Sequence, residues 1–198
     1  MLNKIVIATS NAGKLREIQH LLAPLEIEVL PQSDFNIPEA DEPYFTFIEN
    51  ALAKARHTSL HSGLPALADD SGICVDALQG APGVYSARFA GEPKSDARNN
   101  QKLLEVLREE KNRQAHYYCA MVLVRSPEDP QPLIAQGIWR GEILRAPRGE
   151  GGFGYDPLFL DPASGKTGAE LPMEIKNSIS HRGLALRDML QQIAQLHG

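Results

Sequence analysis

Asp69 and Asp70 adjoin in sequence between two apolar stretches, Leu64 to Ala68 and Ile73 to Val75, and are followed by Ser71 and Gly72. Two like charges this close are costly unless solvent, a cation or a hydrogen-bond network offsets them. The flanking residues predict that the pair sits where a strand ends or turns. A divalent metal holding a phosphate would supply the missing positive charge. A solvated turn with Asx caps is the plainer reading of the same residues.

The opening of the chain favours α/β organisation. Ile5 to Ala8 reads as a buried strand, and Thr9 to Gly13 as the turn after it. Leu15, Ile18, Leu21, Leu22 and Leu25 recur at helical spacing, with Pro24 marking the end of the regular helix. Ile27 to Leu30 returns to strand character. Residues 31–44 form a long acidic loop carrying Asp34, Glu39, Asp41 and Glu42, interrupted by three prolines. Thr46 and Glu49 make a capping box for a helix that presents Ile48, Ala51, Leu52 and Ala55 on one face.

Gly80 to Gly83 reads as a turn and Tyr85 to Phe89 as a short mixed segment. Asn99 to Lys111 predicts an amphipathic helix with Leu103, Leu104 and Leu107 inside. Tyr117 to Val124 is rich in β-formers. Ser126 to Pro132 connects it to two further strands, Leu133 to Trp139 and Glu142 to Arg145. Pro147 to Gly154 is a glycine-rich loop. A last helix begins near Ser180 and buries Leu184, Leu186, Met189, Leu190 and Ile193. The order predicts a mixed sheet with helices packed on it, the central strands forming a second lobe and ligands binding in a cleft between lobes.

At 198 residues the chain suits one domain, 1–198, with two lobes. A net charge of -5 argues against a nucleic-acid coat, which needs a basic face. A few cations focused in a cleft can still hold an anionic small molecule. Cys74 and Cys119 have no CxxC spacing and read as buried thiols. No run approaches ~20 apolar residues and no leader pattern opens the chain, so we expect no membrane span and a cytoplasmic location.

Four segments carry residues suited to chemistry. Thr9, Ser10, Asn11, Ala12, Gly13 and Lys14 lie between strand and helix, where hydroxyl, amide and backbone donors and a helix start favour an anion. A simple turn with Lys14 solvated fits equally well. Glu42 joins Asp69 and Asp70 as hard oxygen donors of the kind Mg2+ takes together with substrate phosphates, although Glu42 also reads simply as one acid among several. Phe153, Gly154, Tyr155 and Asp156 follow a glycine run: Phe153 can stack on a base or fill a core, Asp156 can accept base N–H groups, and Tyr155 reads mainly as packing. Lys176 opens a segment in which Ser180 can cap a helix. There Arg182 sits at a helix start, where a cation needs an anionic partner, and His181 is either a donor to a purine oxygen or a packing residue. Ser71 lies outside any GxSxG elbow, which favours phosphate or sugar binding over nucleophilic attack. His57 and His61 lack the intervening glutamate of HExxH.

These segments carry a resemblance. TSNAGK at 9–14, FIENALAKA at 47–55, ADDSGICVDALQGAPGVYSARFAG at 68–91, GGFGYDPLF at 151–159 and KNSISHRGLAL at 176–186 resemble the noncanonical purine nucleoside triphosphate pyrophosphatases, the inosine triphosphatase or Ham1-like family. The resemblance implies a two-lobed α/β homodimer that cleaves ITP, dITP and XTP to the monophosphate and pyrophosphate. It implies Asp70 as the catalytic and metal-binding acid and Glu42 as a second metal carboxylate for Mg2+. It implies residues 9–14, Lys54 and Ser71 as nucleotide and phosphate contacts. Phe153 to Asp156, Lys176, His181 and Arg182 match base-side or substrate positions. Ser10 stands where many members carry glycine. A pyrophosphatase for pyrimidine or other modified nucleotides, or a non-catalytic nucleotide-binding regulator, are the alternatives; neither needs a nucleic-acid partner.

Overall fold

The protein is described by a computed structural model at residues 2–23 and 27–195. Pro24 and Leu25, read above as the end of the first helix, lie outside the described residues. Seven strands are hydrogen-bonded in the order β2-β1-β3-β4-β5-β6-β7. They are β1 (Lys4–Ile7), β2 (Glu28–Pro31), β3 (Ala66–Val75), β4 (Gln114–Val124), β5 (Leu133–Ile143), β6 (Phe159–Asp161) and β7 (Lys166–Thr167). β1 runs parallel to β2 and β3, whereas β5–β6 and β6–β7 are antiparallel, so the sheet is mixed and the fold is α/β. The helices are α1 (Ala12–Leu22), α2 (Phe47–Ser62), α3 (Asp96–Val106), α4 (Met173–Ile179) and α5 (His181–Gln195).

The chain divides into two compact units. The first comprises Met1–Asp70, Cys119–Gly137 and Arg182–Gly198, and the second Ser71–Tyr118 and Ile138–His181. Each has its own apolar core. In the first, Ile5 and Ile7 of β1 pack with Ile18 and Leu22 of α1, Met121 and Leu123 of β4, and Leu186 and Met189 of α5. In the second, Leu103 and Leu107 pack with Ile73, Val75, Tyr117, Trp139, Tyr155 and Phe159. Each fully buried Leu or Ile contributes about 1.5–3 kcal/mol.

Several local expectations change. Asp69 and Asp70 lie inside β3, which continues through them to Val75 rather than ending or turning. The two strands expected over Leu133–Trp139 and Glu142–Arg145 are one, β5. Its residues alternate between buried and more exposed along its length, and Gly141 lets the backbone approach β6: a Cβ there would lie 2.3 Å from the Leu160 carbonyl oxygen. α3 starts three residues earlier than expected because Ser95 accepts the Arg98 N–H as N-cap. A short helix, α4, precedes Ser180, and Leu184 of α5 is exposed while Leu186, Met189 and Ile193 are buried. The capping box is formed: Thr46 Oγ1 accepts from the Glu49 N–H and donates to Glu49 Oε2.

One side chain ties the end of α3 to the end of β5 within the second unit. Arg113 donates from Nε to the Ile143 carbonyl (2.6 Å), from one terminal nitrogen to Leu107 (2.7 Å) and from the other to Leu144 (2.8 Å). Three directed donors in one plane are a guanidinium property that lysine lacks. Arg113→Lys should lower the urea midpoint by the equivalent of about 1–3 kcal/mol with an unchanged m-value. Equilibrium unfolding followed by circular dichroism checks this.

Candidate active site

Successive side chains on a strand point to opposite faces. Asp69 and Asp70 therefore do not confront each other, and each meets its own cations. On one face Asp69, 2 % exposed, receives Lys14 Nζ at 3.1 Å from α1. Arg182 of α5 reaches the same oxygen at 3.1 Å, and its other terminal nitrogen pairs with Glu17 of α1. Burial opposes the charge on Asp69, but Lys14, Arg182 and Lys54 outweigh it and hold the carboxyl far below the usual range. Burial likewise opposes the charge on Arg182, and Asp69 and Glu17 restore and strengthen it. Cys119 lies beside this group, its Sγ 3.9 Å from Asp69, and burial first and the Asp69 charge second push its thiol up.

On the other face Asp70 meets α2. Lys54 Nζ lies 3.2 Å from Asp70 Oδ1 and 2.7 Å from Glu42 Oε1. Asn50, one helical turn before Lys54, donates to Asp70 Oδ2 at 3.3 Å. The same amide grips the acidic loop, accepting from the Tyr44 N–H (3.1 Å) and donating to the Tyr44 carbonyl (3.2 Å). His57 Nε2 holds the loop further back by donating to the Pro38 carbonyl at 2.9 Å. The loop that carries Glu42 is thus fastened to α2 through Pro38 and Tyr44 as well as through Glu42 itself. Burial pushes the Asp70 carboxyl up, the Glu42 charge adds to this, and the lysines only partly offset it. Burial opposes the charge on Lys54, but Asp70 and Glu42 overcome it and hold the ammonium above its usual range.

Glu42 and Asp70 fit Mg2+ by donor chemistry. Both are hard carboxylates converging on one ammonium, and this ion commonly takes one or two carboxylates and completes its shell with water and substrate phosphate. Among the described residues no group of three or more His, Cys, Asp or Glu forms a preformed cage.

The loop at 9–14 is built around Asn11, which caps α1 by accepting the Gly13 and Lys14 N–H groups at 2.8 and 3.1 Å. Thr9 Oγ1 accepts from the Asn11 N–H. Ser10 and Ala12 complete the turn. The non-glycine residues with positive φ among the described residues are Asn36 and Gln79, so Ser10 carries its side chain without backbone strain. Lys14 is engaged by Asp69 rather than solvated.

The remaining residues belong to the second unit. Ser71 is half-buried on β3. Phe153 to Asp156 form a turn in which Asp156 Oδ2 accepts the Phe153 N–H (2.9 Å) and Lys176 Nζ (2.7 Å). Lys176 Nζ also lies 4.8 Å from the Phe153 ring centroid. Gly152 and Gly168 make room for the carboxylate: a Cβ would come within 2.2 Å of Asp156 Oδ2 at one and 2.7 Å of Oδ1 at the other. Tyr155 is a packing residue whose hydroxyl donates to the Ser86 carbonyl at 2.8 Å. His181 is 4 % exposed and stacks on Tyr117, with ring centroids 4.6 Å apart and planes within 7°. The structure thus assembles Lys14, Glu42, Lys54, Asp70 and Arg182 within one unit and Phe153, Asp156, Lys176 and His181 within the other.

Sequence reasoning missed Asn50 and Glu17. A signal existed for each: Asn50 stands four residues before Lys54, hence on the same helix face, and Glu17 interrupts an apolar face three residues after Lys14.

Lysine-bridged carboxylates and a capped strand-to-helix loop on an α/β framework suit the handling of phosphate esters and anhydrides. The Ham1 family model matches residues 5–192. A dITP/XTP pyrophosphatase of Nitrosomonas europaea is 63% identical over 98% of this chain and 96% of its own length. One of Chromobacterium violaceum is 59% identical over 99% and 100%. A solved HAM1 protein structure from Coxiella burnetii superposes with a TM-score of 0.91 at 48% identity, covering 98% of this chain and 100% of that one. This chain belongs to the Ham1 family.

The folded Asp69 carboxyl sits below its unfolded value near 3.9. Its stabilisation is therefore present above about pH 4 and lost as pH falls, because the unfolded chain then binds the extra proton. Asp69→Asn strips a buried guanidinium and ammonium of their counter-charge. We expect it to cost on the order of 3–5 kcal/mol at pH 7 and to flatten the acid side of the stability profile. Urea midpoints measured from pH 7 to 3 test both parts.

Proposed function

We propose that this protein hydrolyses noncanonical purine nucleoside triphosphates, ITP, dITP and XTP, to the monophosphate and pyrophosphate. Its role is then to keep deaminated purines out of the nucleotide pool. The observation that carries the reading is Lys54 seated between Glu42 and Asp70 in a Ham1-family chain whose relatives bear the name dITP/XTP pyrophosphatase.

In this mechanism Asp70 orients the attacking water and accepts its proton. A carboxylate raised by burial is a better base than a solvated one. Water attacks the α-phosphorus and pyrophosphate leaves. Lys54 and Lys14 offset the charge of the triphosphate and its leaving group, an electrostatic contribution largest in a water-poor site. Asn11 and its neighbours align the phosphates at the start of α1. Asp70 and Glu42 would hold Mg2+, which when bound would supply polarisation of the phosphate oxygens. Arg182 acts by fixing Asp69 and through it Lys14.

Base recognition falls to Phe153, Asp156, Lys176 and His181. Inosine and xanthine carry oxygen at purine position 6, which accepts a hydrogen bond from His181 or a backbone N–H. Adenine carries an amino group there, and a donor facing a donor is rejected. Guanine shares the oxygen and is excluded through its 2-amino group. The working form in this reading is a homodimer in the cytoplasm. Its partners are nucleotides rather than nucleic acid or membrane. None of the described helices is long and apolar enough to cross a bilayer.

Pyrophosphate release from ITP, XTP, GTP, ATP and dTTP, each with Mg2+ and with chelator, tests the reaction. Turnover should be strong for ITP and XTP, weak for GTP and ATP, and lost on chelation. Equal turnover of ITP and GTP would overturn the selectivity, and tight ITP binding without turnover would overturn the chemistry. Asp70→Asn should lower kcat by about 10²–10⁴. Turnover at the wild-type rate would remove Asp70 from the mechanism.

A further inference from the structure

Gly154 is held from both sides by α3. Its N–H donates to Asp96 Oδ2 at 2.7 Å, and its carbonyl accepts from Asn100 Nδ2 at 2.8 Å. All three residues lie in the second unit. Asp96 is the first residue of α3 and Asn100 stands one turn later, so their side chains share a face. Asn100 Nδ2 also donates to the Asp96 carbonyl at 2.9 Å. With two carbonyl oxygens facing it, the nitrogen end of that amide is fixed.

The held residue is the centre of the base-side turn. Gly154 follows Phe153 and lies two residues before Asp156, and its φ of +62° places it where a side chain would be strained. Phe153 and Asp156 bind each other within the turn, through the Phe153 N–H on Asp156 Oδ2 and the Asp156 N–H on the Phe153 carbonyl. Those bonds fix the turn's internal shape. They do not fix its place on the protein. Lys176 on the Asp156 carboxylate, the Ala169 N–H on the Asp156 carbonyl, the Tyr155 hydroxyl on Ser86 and α3 do that, and among the described residues the contacts that grip the backbone of Gly154 itself come from α3.

We propose that Asp96 and Asn100 are positioning residues that clamp Gly154 and thereby set base affinity and selectivity. This rests on the reading of Phe153 to Asp156 as base-binding residues. Neither Asp96 nor Asn100 needs to touch substrate. The clamp holds the Phe153 ring and the Asp156 carboxylate in the one placement that distinguishes purines by their position-6 and position-2 groups. A displacement of this turn weakens recognition of the base and leaves the reacting phosphorus and its water, served by Lys54 and Asp70, unaffected.

Three variants separate the clamp from general structure. Asn100→Asp is isosteric but sets a carboxylate against two carbonyl oxygens. Asp96→Ala removes the acceptor, whereas Asp96→Asn keeps an oxygen of the same reach. With ITP as substrate, Asn100→Asp and Asp96→Ala should raise KM by about tenfold, the scale of one lost hydrogen bond, with kcat within about twofold. The preference for ITP over GTP should fall in parallel, and Asp96→Asn should recover most of the loss. Amide hydrogen exchange at Gly154 should quicken in Asp96→Ala. Unchanged exchange at Gly154, or a fall in kcat at constant KM, or equal defects in Asp96→Ala and Asp96→Asn would overturn the clamp. If the wild-type protein does not turn over ITP or XTP, the proposed reaction fails. The clamp is then read from ITP affinity, where the same tenfold weakening in Asn100→Asp supports it and an unchanged Kd overturns it.

Discussion

Asp69 sits almost wholly buried and still carries its charge, because an ammonium from α1 and a guanidinium from α5 converge on it. Removing a carboxylate from water costs several kcal/mol, and one partner rarely repays it. Two cations, one of them itself stabilised by Glu17, do. The arrangement joins β3, α1 and α5, elements far apart in the chain, and it exists only when all three are docked. Lys14 is held at the first turn of α1 as a direct result. The phosphate side of the proposed site therefore depends on a charge group that does no chemistry itself.

The adjacent carboxylate shows what the strand's period of two makes possible. Asp70 faces away from Asp69 and meets a different helix. There one lysine serves two acids, and an amide one turn earlier ties the same acid to the loop bearing Glu42. Lysine suits this place because a compact point charge on a flexible stem can rest between two carboxylates. The neighbouring aspartates thus differ in surroundings: one gathers cations from α1 and α5, and the other is the acid to which the proposed mechanism assigns the attacking water.

Within the second unit, the residues proposed to recognise the base combine aromatic packing with charged groups. Lys176 lies over Phe153 and on Asp156, and His181 lies flat against Tyr117 with Trp139 beyond. These polar side chains are more than nine-tenths buried in well-packed surroundings, which limits the orientations open to them. Glycines at 152 and 168 are part of the same design, since any side chain there would occupy the space of the Asp156 carboxylate.

The sequence by itself determined much of this. Apolar runs and spacing placed β1, α1, α2 and β4, the Thr46–Glu49 cap was legible as a motif, and the string of segments from residue 9 to residue 186 led to the Ham1 family. It did not reveal that β3 passes unbroken through Asp69 and Asp70. Local propensity penalises paired acids in a strand, and the cations that remove the penalty come from residues 14, 54 and 182. Short β6, β7 and α4 were missed for a related reason: a few residues carry too little periodicity, and neighbouring strands and packed aromatics hold them in place. Asn50, Glu17 and the α3 contacts to Gly154 have meaning only once helices are docked. Hydrogen-bond partners lying 20 to 165 residues apart are chosen by tertiary packing, and no local pattern encodes them.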